Sequence, residues 1–140
     1  MQTTASPSLF TKGTIVLIAV VQIAVGLIFT LSPATFSALT GLPPAPAWTD
    51  WIFALFGARA LGFAFGMLIA LRDVQRHASW LAAMIGIQAI DWIAAILALQ
   101  SGKVGLAQVT TAPFLPVLFI VVLALELRRQ RVVSQGRSAL

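Results

Sequence analysis

The chain has 140 residues and a formal net charge of +5, and 59% of its residues are hydrophobic whereas 9% are charged. Since a soluble domain carries about 25% charged residues, this composition excludes an ordinary water-soluble domain, and the length allows a single domain, residues 1–140. With no cysteine and one histidine, the chain cannot form disulfides, and we expect no metal site and no cofactor.

Four apolar segments are long enough to cross a bilayer as helices. A hydrocarbon core of about 30 Å needs roughly 20 apolar residues at 1.5 Å each. The segments lie at about 14–31, 51–71, 79–99 and 106–127, and they lack the alternation of a membrane barrel. The sequence therefore predicts an all-α fold, a bundle of four transmembrane helices followed by a basic tail at 128–140.

The first segment has an alternative interpretation as a secretory signal, with Lys12 in its positively charged start. An apolar run of 18 residues is long for the core of a signal peptide, and no clear cleavage site follows it closely. We favour a membrane span, and a cleaved signal stays the alternative.

A short external helix is predicted in the connection between the first two spans. Ser32 suits an N-cap, Pro33 suits the first helical position, and Gly41 suits a left-handed stop. Phe36 and Leu39 share a face that is too short to span, so this helix should lie on the bilayer surface or fold over the bundle. We interpret it as a connection, and a lid that gates a substrate is the alternative.

Basic residues are concentrated on one side of the predicted bundle. Seven of the nine lie there, namely Lys12, Arg72, Arg76, Arg128, Arg129, Arg131 and Arg137. The positive-inside rule makes that side cytoplasmic, which predicts a bacterial inner-membrane protein with both termini inside. We expect Arg72, Arg76, Arg128, Arg129 and Arg131 to bind anionic lipid headgroups, and we expect no nucleic-acid partner.

The second and third segments each carry one charged residue near the middle. Arg59 lies in "FGARALGFAFG" and Asp91 in "IGIQAIDWIAA". Each is two residues toward the outer side, about 3 Å from the midplane at 1.5 Å per residue. Because a charge at this depth costs at least about 2.5–3.5 kcal/mol, and these spans should be antiparallel neighbours, the sequence predicts a direct Arg59–Asp91 ion pair.

Gln22 in the first span and Gln88 in the third extend this polar cluster. One interpretation is structural, with the four side chains fixing the register of the helices. The other is a site for a proton, an ion or a headgroup-like ligand. Both stay open. We expect the drier arrangement, in which Arg59 bonds directly to Asp91 and the glutamines complete the shell, because paired opposite charges leave no net charge for a ligand to neutralise.

Small residues recur every four positions in the second and third spans. The set that we expect to mediate helix packing is Ala58, Gly62, Gly66 and Gly86. Such residues let helix backbones approach closely inside a membrane. We expect them to pack the core of one bundle, with a dedicated dimer seam as the alternative.

The fourth span carries two prolines near its start. Pro113 and Pro116 lack backbone donors and should break or bend the helix, with Gln108, Thr110 and Thr111 placed to satisfy the freed carbonyls. Broken helices form some transport sites, although a simple bend is the alternative. Glu126, which precedes Arg128 and Arg129, is interpreted as a member of a solvated interfacial ion pair.

The overall pattern resembles the DoxX-like families of small four-helix bacterial membrane proteins. An opening helix ends in a proline-containing loop, "GARALGFAFGMLIALRD" follows, and a third helix carries the midspan acid of "AIDWIAA". The resemblance implies association with membrane oxidoreductase assemblies, to which some of those proteins are linked. It implies no chemistry, because we identify no residue here that carries a redox cofactor.

Three functions are compatible with this pattern. We favour a non-catalytic membrane subunit, or a bundle that binds lipid, another membrane subunit or a second copy of itself. A small oligomeric transporter or proton-coupled carrier using Asp91 and Arg59 is the first alternative. A lipid- or quinone-modifying enzyme is the second, and it is disfavoured because a paired Arg59 would hold the aspartate ionised.

Overall fold

The protein is described by a computed structural model that covers residues 7–109 and 111–138, with side chains up to residue 133. Within those ranges it is all helical, as the sequence predicts, and contains no strand. The helices are α1 (Leu9–Leu31), α2 (Pro33–Thr40), α3 (Asp50–Arg72), α4 (Ala78–Gln100), α5 (Leu106–Val109) and α6 (Leu115–Ser138), and a 3₁₀ turn (Ala47–Thr49) precedes α3.

Three of the helices are long and apolar enough to cross a membrane. They are α1, α3 with its preceding 3₁₀ turn, and α4. At 1.5 Å per residue, a helix of 23 residues is about 34 Å long, which exceeds the hydrocarbon thickness of a bilayer. The length and composition of these helices indicate that the chain is a membrane protein.

The predicted fourth span does not form one continuous helix. The segment 106–127 is divided into α5 and the start of α6, and the break lies just before Leu115. Pro113 explains the break, because it lacks an N–H donor and its ring clashes with the preceding turn. Charged side chains also begin at Glu126 and shorten the apolar part of α6.

The predicted external helix is present as α2. Pro33 occupies its first turn, and Gly41 ends it with a φ of 67°, a conformation that favours glycine. Phe36 packs edge-on against Phe29 of α1, with ring centroids 4.8 Å apart. Leu39 is 70% exposed and points away from the bundle. The helix therefore folds over one end of the bundle through Phe36 and the buried Ser37 and Thr40.

The long helices form two antiparallel pairs. The α1 helix packs along much of α3, and α4 packs along α6, while lighter contacts between α1 and α6 and between α3 and α4 join the pairs. The α1 and α3 backbones approach closely at Gly57, where a Cβ atom would lie 2.7 Å from the Gly26 carbonyl oxygen. Glycine at these two positions lets the α1 and α3 backbones come together.

Only one of the four residues predicted to mediate packing does so within this chain. Gly66 lies under the ring of Trp80, which joins α3 to α4. Ala58, Gly62 and Gly86 are exposed, and a Cβ atom at either glycine would meet nothing within 4 Å. The four-residue repeat was therefore assigned to the wrong face of α3, whose buried side is marked by Gly57, Ala60 and Ala64.

The core lies in one half of the bundle. We call the end that carries Lys12, Arg72 and Arg128 the basic end, and the end that carries the 32–50 and 101–105 connections the proline end. The fully buried core residues all lie in the half nearer the basic end, namely Ile15, Ile18, Ala19, Met67, Ala70, Val74, Leu81, Met84, Phe119 and Leu123. Toward the proline end the inward positions become polar, and the helices enclose space.

Candidate functional site

Two adjoining cavities occupy the half of the bundle nearer the proline end. The first, which we call the central cavity, has a volume of about 460 Å³ and lies among α1, α2, α4, α5 and α6. The second, the α3–α4 groove, has a volume of about 310 Å³ and lies among α1, α3 and α4. Gln22, Val25 and Asp91 line both. Both volumes fall in the range of small-molecule sites.

Asp91 lies on α4 at the junction of the two cavities. Within the described ranges its carboxylate has neither a hydrogen bond nor a salt bridge to the protein. A carboxylate has two acceptor oxygens with about four lone-pair sites. Asp91 lines both cavities and keeps this capacity free for a ligand.

Arg59 lies on α3 and faces the α3–α4 groove. Its guanidinium carbon is 5.7 Å from the centre of the Phe56 ring, which is within the range of a cation–π contact. In the described part of the chain no nitrogen of Arg59 lies within 4.0 Å of an oxygen of Asp91. The predicted direct ion pair is therefore not formed.

The packing of α3 explains why these two charges do not meet. The α3 helix packs mainly on α1 and only lightly on α4. Its contact with α4 is made near the basic end, where Trp80 lies over Gly66. At the level of Arg59 the α3–α4 groove separates the two helices, and the predicted dry cluster is replaced by open space with a charge on each side.

The two predicted glutamines also lie on the cavity walls. Gln88 is 5% exposed, and its only described hydrogen bond runs from Nε2 to the Met84 sulfur, 3.7 Å away. Thioether sulfur is a weak acceptor, so the amide keeps most of its hydrogen-bonding capacity. Gln22 makes no hydrogen bond to another described residue and lines both cavities. Together with Asp91, they give the central cavity a polar wall.

The proline end of the central cavity is covered by α2 and α5. Phe36, Thr40 and Leu42 form part of this cover. Gln108 joins its two sides, because Oε1 accepts from the Gly105 N–H at 2.7 Å and Nε2 donates to the Gly41 carbonyl at 3.4 Å. Gln108, which is predicted to satisfy the broken helix, therefore also lines the cavity.

A side chain of α4 forms a hydrogen bond with the backbone at the break before α6. Trp92 Nε1 donates to the carbonyl of Pro113 at 2.9 Å. The carbonyl of Val109 accepts from the Ala112 N–H at 3.0 Å. The break is thus a hydrogen-bonded feature that positions the first turn of α6, with Leu115 and Pro116, on the cavity wall.

Glu126 differs from its predicted role as a solvated interfacial residue. It is 4% exposed, and its Oε2 accepts from the Thr11 hydroxyl at 2.9 Å while its Oε1 accepts from Gln130 Nε2 at 3.2 Å. Arg129 is a more distant partner at 3.9 Å. Glu126 therefore joins α6 to the first turn of α1, a long-range contact that no local pattern reveals.

The five predicted headgroup arginines lie at the basic end. All of them are exposed: Arg72, Arg76, Arg128, Arg129 and Arg131. Asp73 shapes the connection between α3 and α4, where its carboxylate accepts from the Arg76 N–H at 3.0 Å. Among the described residues no group of three or more histidine, aspartate or glutamate side chains has the arrangement of a metal site.

No family model, curated protein or solved structure matches this chain. The resemblance to DoxX-like proteins therefore stays a prediction, and the candidate site is defined by the geometry of the cavities and by the free hydrogen-bonding capacity of Asp91, Gln22 and Gln88.

Proposed function

We propose that the chain is a membrane protein with four crossings, the fourth made jointly by α5 and α6. The position of α6 beside α4 supports this architecture. Trp92 is level with Pro113, and Ala78 shares a cavity of about 410 Å³ with Leu127 near the basic end. The segment 106–127 thus runs antiparallel along nearly the whole of α4, so both cross if α4 crosses.

The arginine-rich end should face the cytoplasm of a bacterial cell, with both chain termini inside. Single cysteines test this orientation without background, because the chain has none. Ala45→Cys at the proline end should react with a membrane-impermeant maleimide in intact cells, whereas Arg76→Cys should react only after lysis. Both residues are exposed, so labelling reports the side of the membrane. Labelling of both from outside would contradict the orientation.

The function that the geometry supports best is the binding of a small, partly apolar molecule in the polar-walled cavities. The observation that carries this proposal is Asp91, a carboxylate at membrane depth with no described protein partner and two adjoining cavities in front of it. An uncompensated charge in this layer is costly, and such groups mark ligand or ion sites. The role is non-catalytic, and the bundle acts alone or as a subunit.

Mass spectrometry of the intact protein tests the proposal. Protein extracted from membranes in mild detergent should retain a bound molecule, and Asp91→Asn, which has nearly the same shape, should lose it. The matched control is Asp73→Asn, which removes a carboxylate at the basic end and leaves the cavities unchanged. Equal retention by the two variants would contradict a site at Asp91.

A proton-coupled carrier is a second candidate, favoured by the same free carboxylate. Carriers need an intramembrane acid that can lose and regain a proton, and an Asp91–Arg59 ion pair would have opposed this. Purified protein in liposomes should then show substrate flux that depends on the pH gradient and is abolished by Asp91→Asn. Flux that is unchanged by this substitution would exclude the carrier.

A further inference from the structure

We propose that the α3–α4 groove binds the headgroup of a zwitterionic phospholipid, with its phosphate at Arg59 and its primary ammonium group at Asp91. The inference rests on the proposed ligand-binding function and names the class of ligand. It is carried by two opposite charges that share one groove without touching each other.

The charges are placed on different helices and face the same space. Arg59 projects from α3 and Asp91 from α4, and both line the groove. Arg59 makes a cation–π contact with Phe56, and over the described ranges neither residue forms a salt bridge. The groove therefore presents a separated positive and negative group to whatever enters it.

Charge balance selects the ligand class. A cationic ligand at Asp91 would leave Arg59 uncompensated, and an anionic ligand at Arg59 would leave Asp91 uncompensated. Each unpaired charge at this depth is costly. A net-neutral molecule with separated charges compensates both residues at once and brings no net charge into the membrane.

The donor and acceptor chemistry narrows the class further. A guanidinium group matches two phosphate oxygens with parallel N–H donors. An ionised carboxylate only accepts hydrogen bonds, so its cationic partner should carry N–H groups. This favours an ethanolamine headgroup over choline, whose quaternary nitrogen has no hydrogen to donate. Gln22, which lines the same groove, adds an amide that can bond to either half of the headgroup.

The remaining walls indicate a lipid rather than a water-soluble zwitterion. They include the apolar side chains Phe29, Phe63, Ile87 and Ile90. Phe56 and Ile90, at the edges of the groove, are 53% and 68% exposed. Since exposed apolar side chains at this depth face lipid, the groove opens sideways into the bilayer. A headgroup can enter while its acyl chains stay among the neighbouring lipids.

Competition among lipids in nanodiscs tests the proposal. The protein is offered equal amounts of phosphatidylethanolamine, phosphatidylglycerol and phosphatidylcholine with identical acyl chains, and bound lipid is counted by mass spectrometry of the ejected complex. We expect phosphatidylethanolamine to be retained about tenfold over each of the others, as one charge-assisted hydrogen bond is enough for this ratio. Equal retention of the three lipids would overturn the proposal.

Single substitutions should shift the selectivity in opposite directions. Asp91→Asn leaves Arg59 alone and should favour the anionic phosphatidylglycerol, whereas Arg59→Gln should lose the preference for a phosphate-bearing lipid and favour a single-chain alkylammonium added to the mixture. Asp73→Asn, at the basic end, should keep the wild-type order. If both groove variants kept that order, the assignment of the two charges would be wrong.

Two further outcomes separate this inference from the proposed function. Lipid retention could depend on Asp91 but not on the headgroup or on Arg59. That result would contradict a zwitterionic ligand and would still support a ligand site at Asp91. Lipid retention that does not depend on Asp91 at all would contradict both the zwitterionic ligand and the proposed ligand site. Deacylated glycerophosphoethanolamine, added at the concentration of the lipid, should not displace it, and equal displacement would overturn the lipid source. Should a variant fail to fold by circular dichroism, the wild-type competition alone decides.

Discussion

At the basic end of the bundle, apolar side chains fill the space between the helices and the buried carboxylate of Glu126 is hydrogen-bonded from two sides. In the half nearer the proline end, the helices enclose two cavities, and Asp91 has no described protein partner. The two acids thus differ in burial and in partners, since Glu126 is buried and Asp91 is exposed on the cavity walls. One joins helices, and the other is left facing space, which is the arrangement that a ligand site requires.

Leucine packing in α6 should differ between the two halves. Leu123→Ala, at a fully buried core position, should destabilise the protein by about 2 kcal/mol. This value is at the lower end of the range for leucine-to-alanine substitutions in protein cores. Lipid is as apolar as leucine, so moving the side chain from lipid into the core contributes little free energy. Leu115→Ala is the control on the same helix, and it should cost about half as much or less because Leu115 already lines a cavity. Reversible unfolding in mixed detergent measures both.

Glu126→Ala should destabilise the protein by about 1–3 kcal/mol, because it leaves the Thr11 hydroxyl and the Gln130 amide without their acceptor. The same truncation at Asp91 breaks no described hydrogen bond. Asp91→Ala should therefore leave the free energy of unfolding of lipid-stripped protein within about 0.5 kcal/mol of the wild type. If Asp91→Ala lowered the free energy of unfolding as much as Glu126→Ala, both acids would have the same structural role.

Glycine substitutions in α3 should have opposite signs on its two faces. Gly57→Ala should destabilise the bundle by about 1–3 kcal/mol, because the new Cβ atom would meet Thr30 and the Gly26 carbonyl. Gly62→Ala should stabilise it by about 0.5–1 kcal/mol, because alanine favours the helix and meets nothing within 4 Å. Thermal unfolding of the two variants checks the sign. Destabilisation by Gly62→Ala would place a helix or a second subunit on that face.

Features that depend on local sequence were predicted well. The three long apolar helices and the turn of α2 at Gly41 follow from length, hydropathy and the conformational freedom of glycine. Features that depend on the distance between helices were not. Arg59 and Asp91 have the right depth for an ion pair, but sequence does not reveal that α3 packs on α1 and leaves a groove beside α4.

The same limit applies to the two other errors. A four-residue repeat identifies a stripe on a helix but not which stripe meets a neighbour, so Gly62 was placed in the core and Gly57 was missed. Glu126 lies among arginines in the sequence and looks solvated, whereas its partner Thr11 lies 115 residues away. The sequence predicts the membrane depth of each polar residue, but it does not predict which side chain is the hydrogen-bond partner of that residue.

The central claim is that Arg59 and Asp91 of the cavity half are not paired with each other, whereas Glu126 at the basic end is hydrogen-bonded to Thr11. Two double-mutant cycles in lipid-stripped protein test it directly, one on Arg59→Gln with Asp91→Asn and the other on Thr11→Val with Glu126→Gln. The first pair should be additive within about 0.5 kcal/mol, and the hydrogen-bonded second pair should show a coupling of about 1 kcal/mol or more. A coupling between Arg59 and Asp91 that equals or exceeds that between Thr11 and Glu126 would contradict this account of the site.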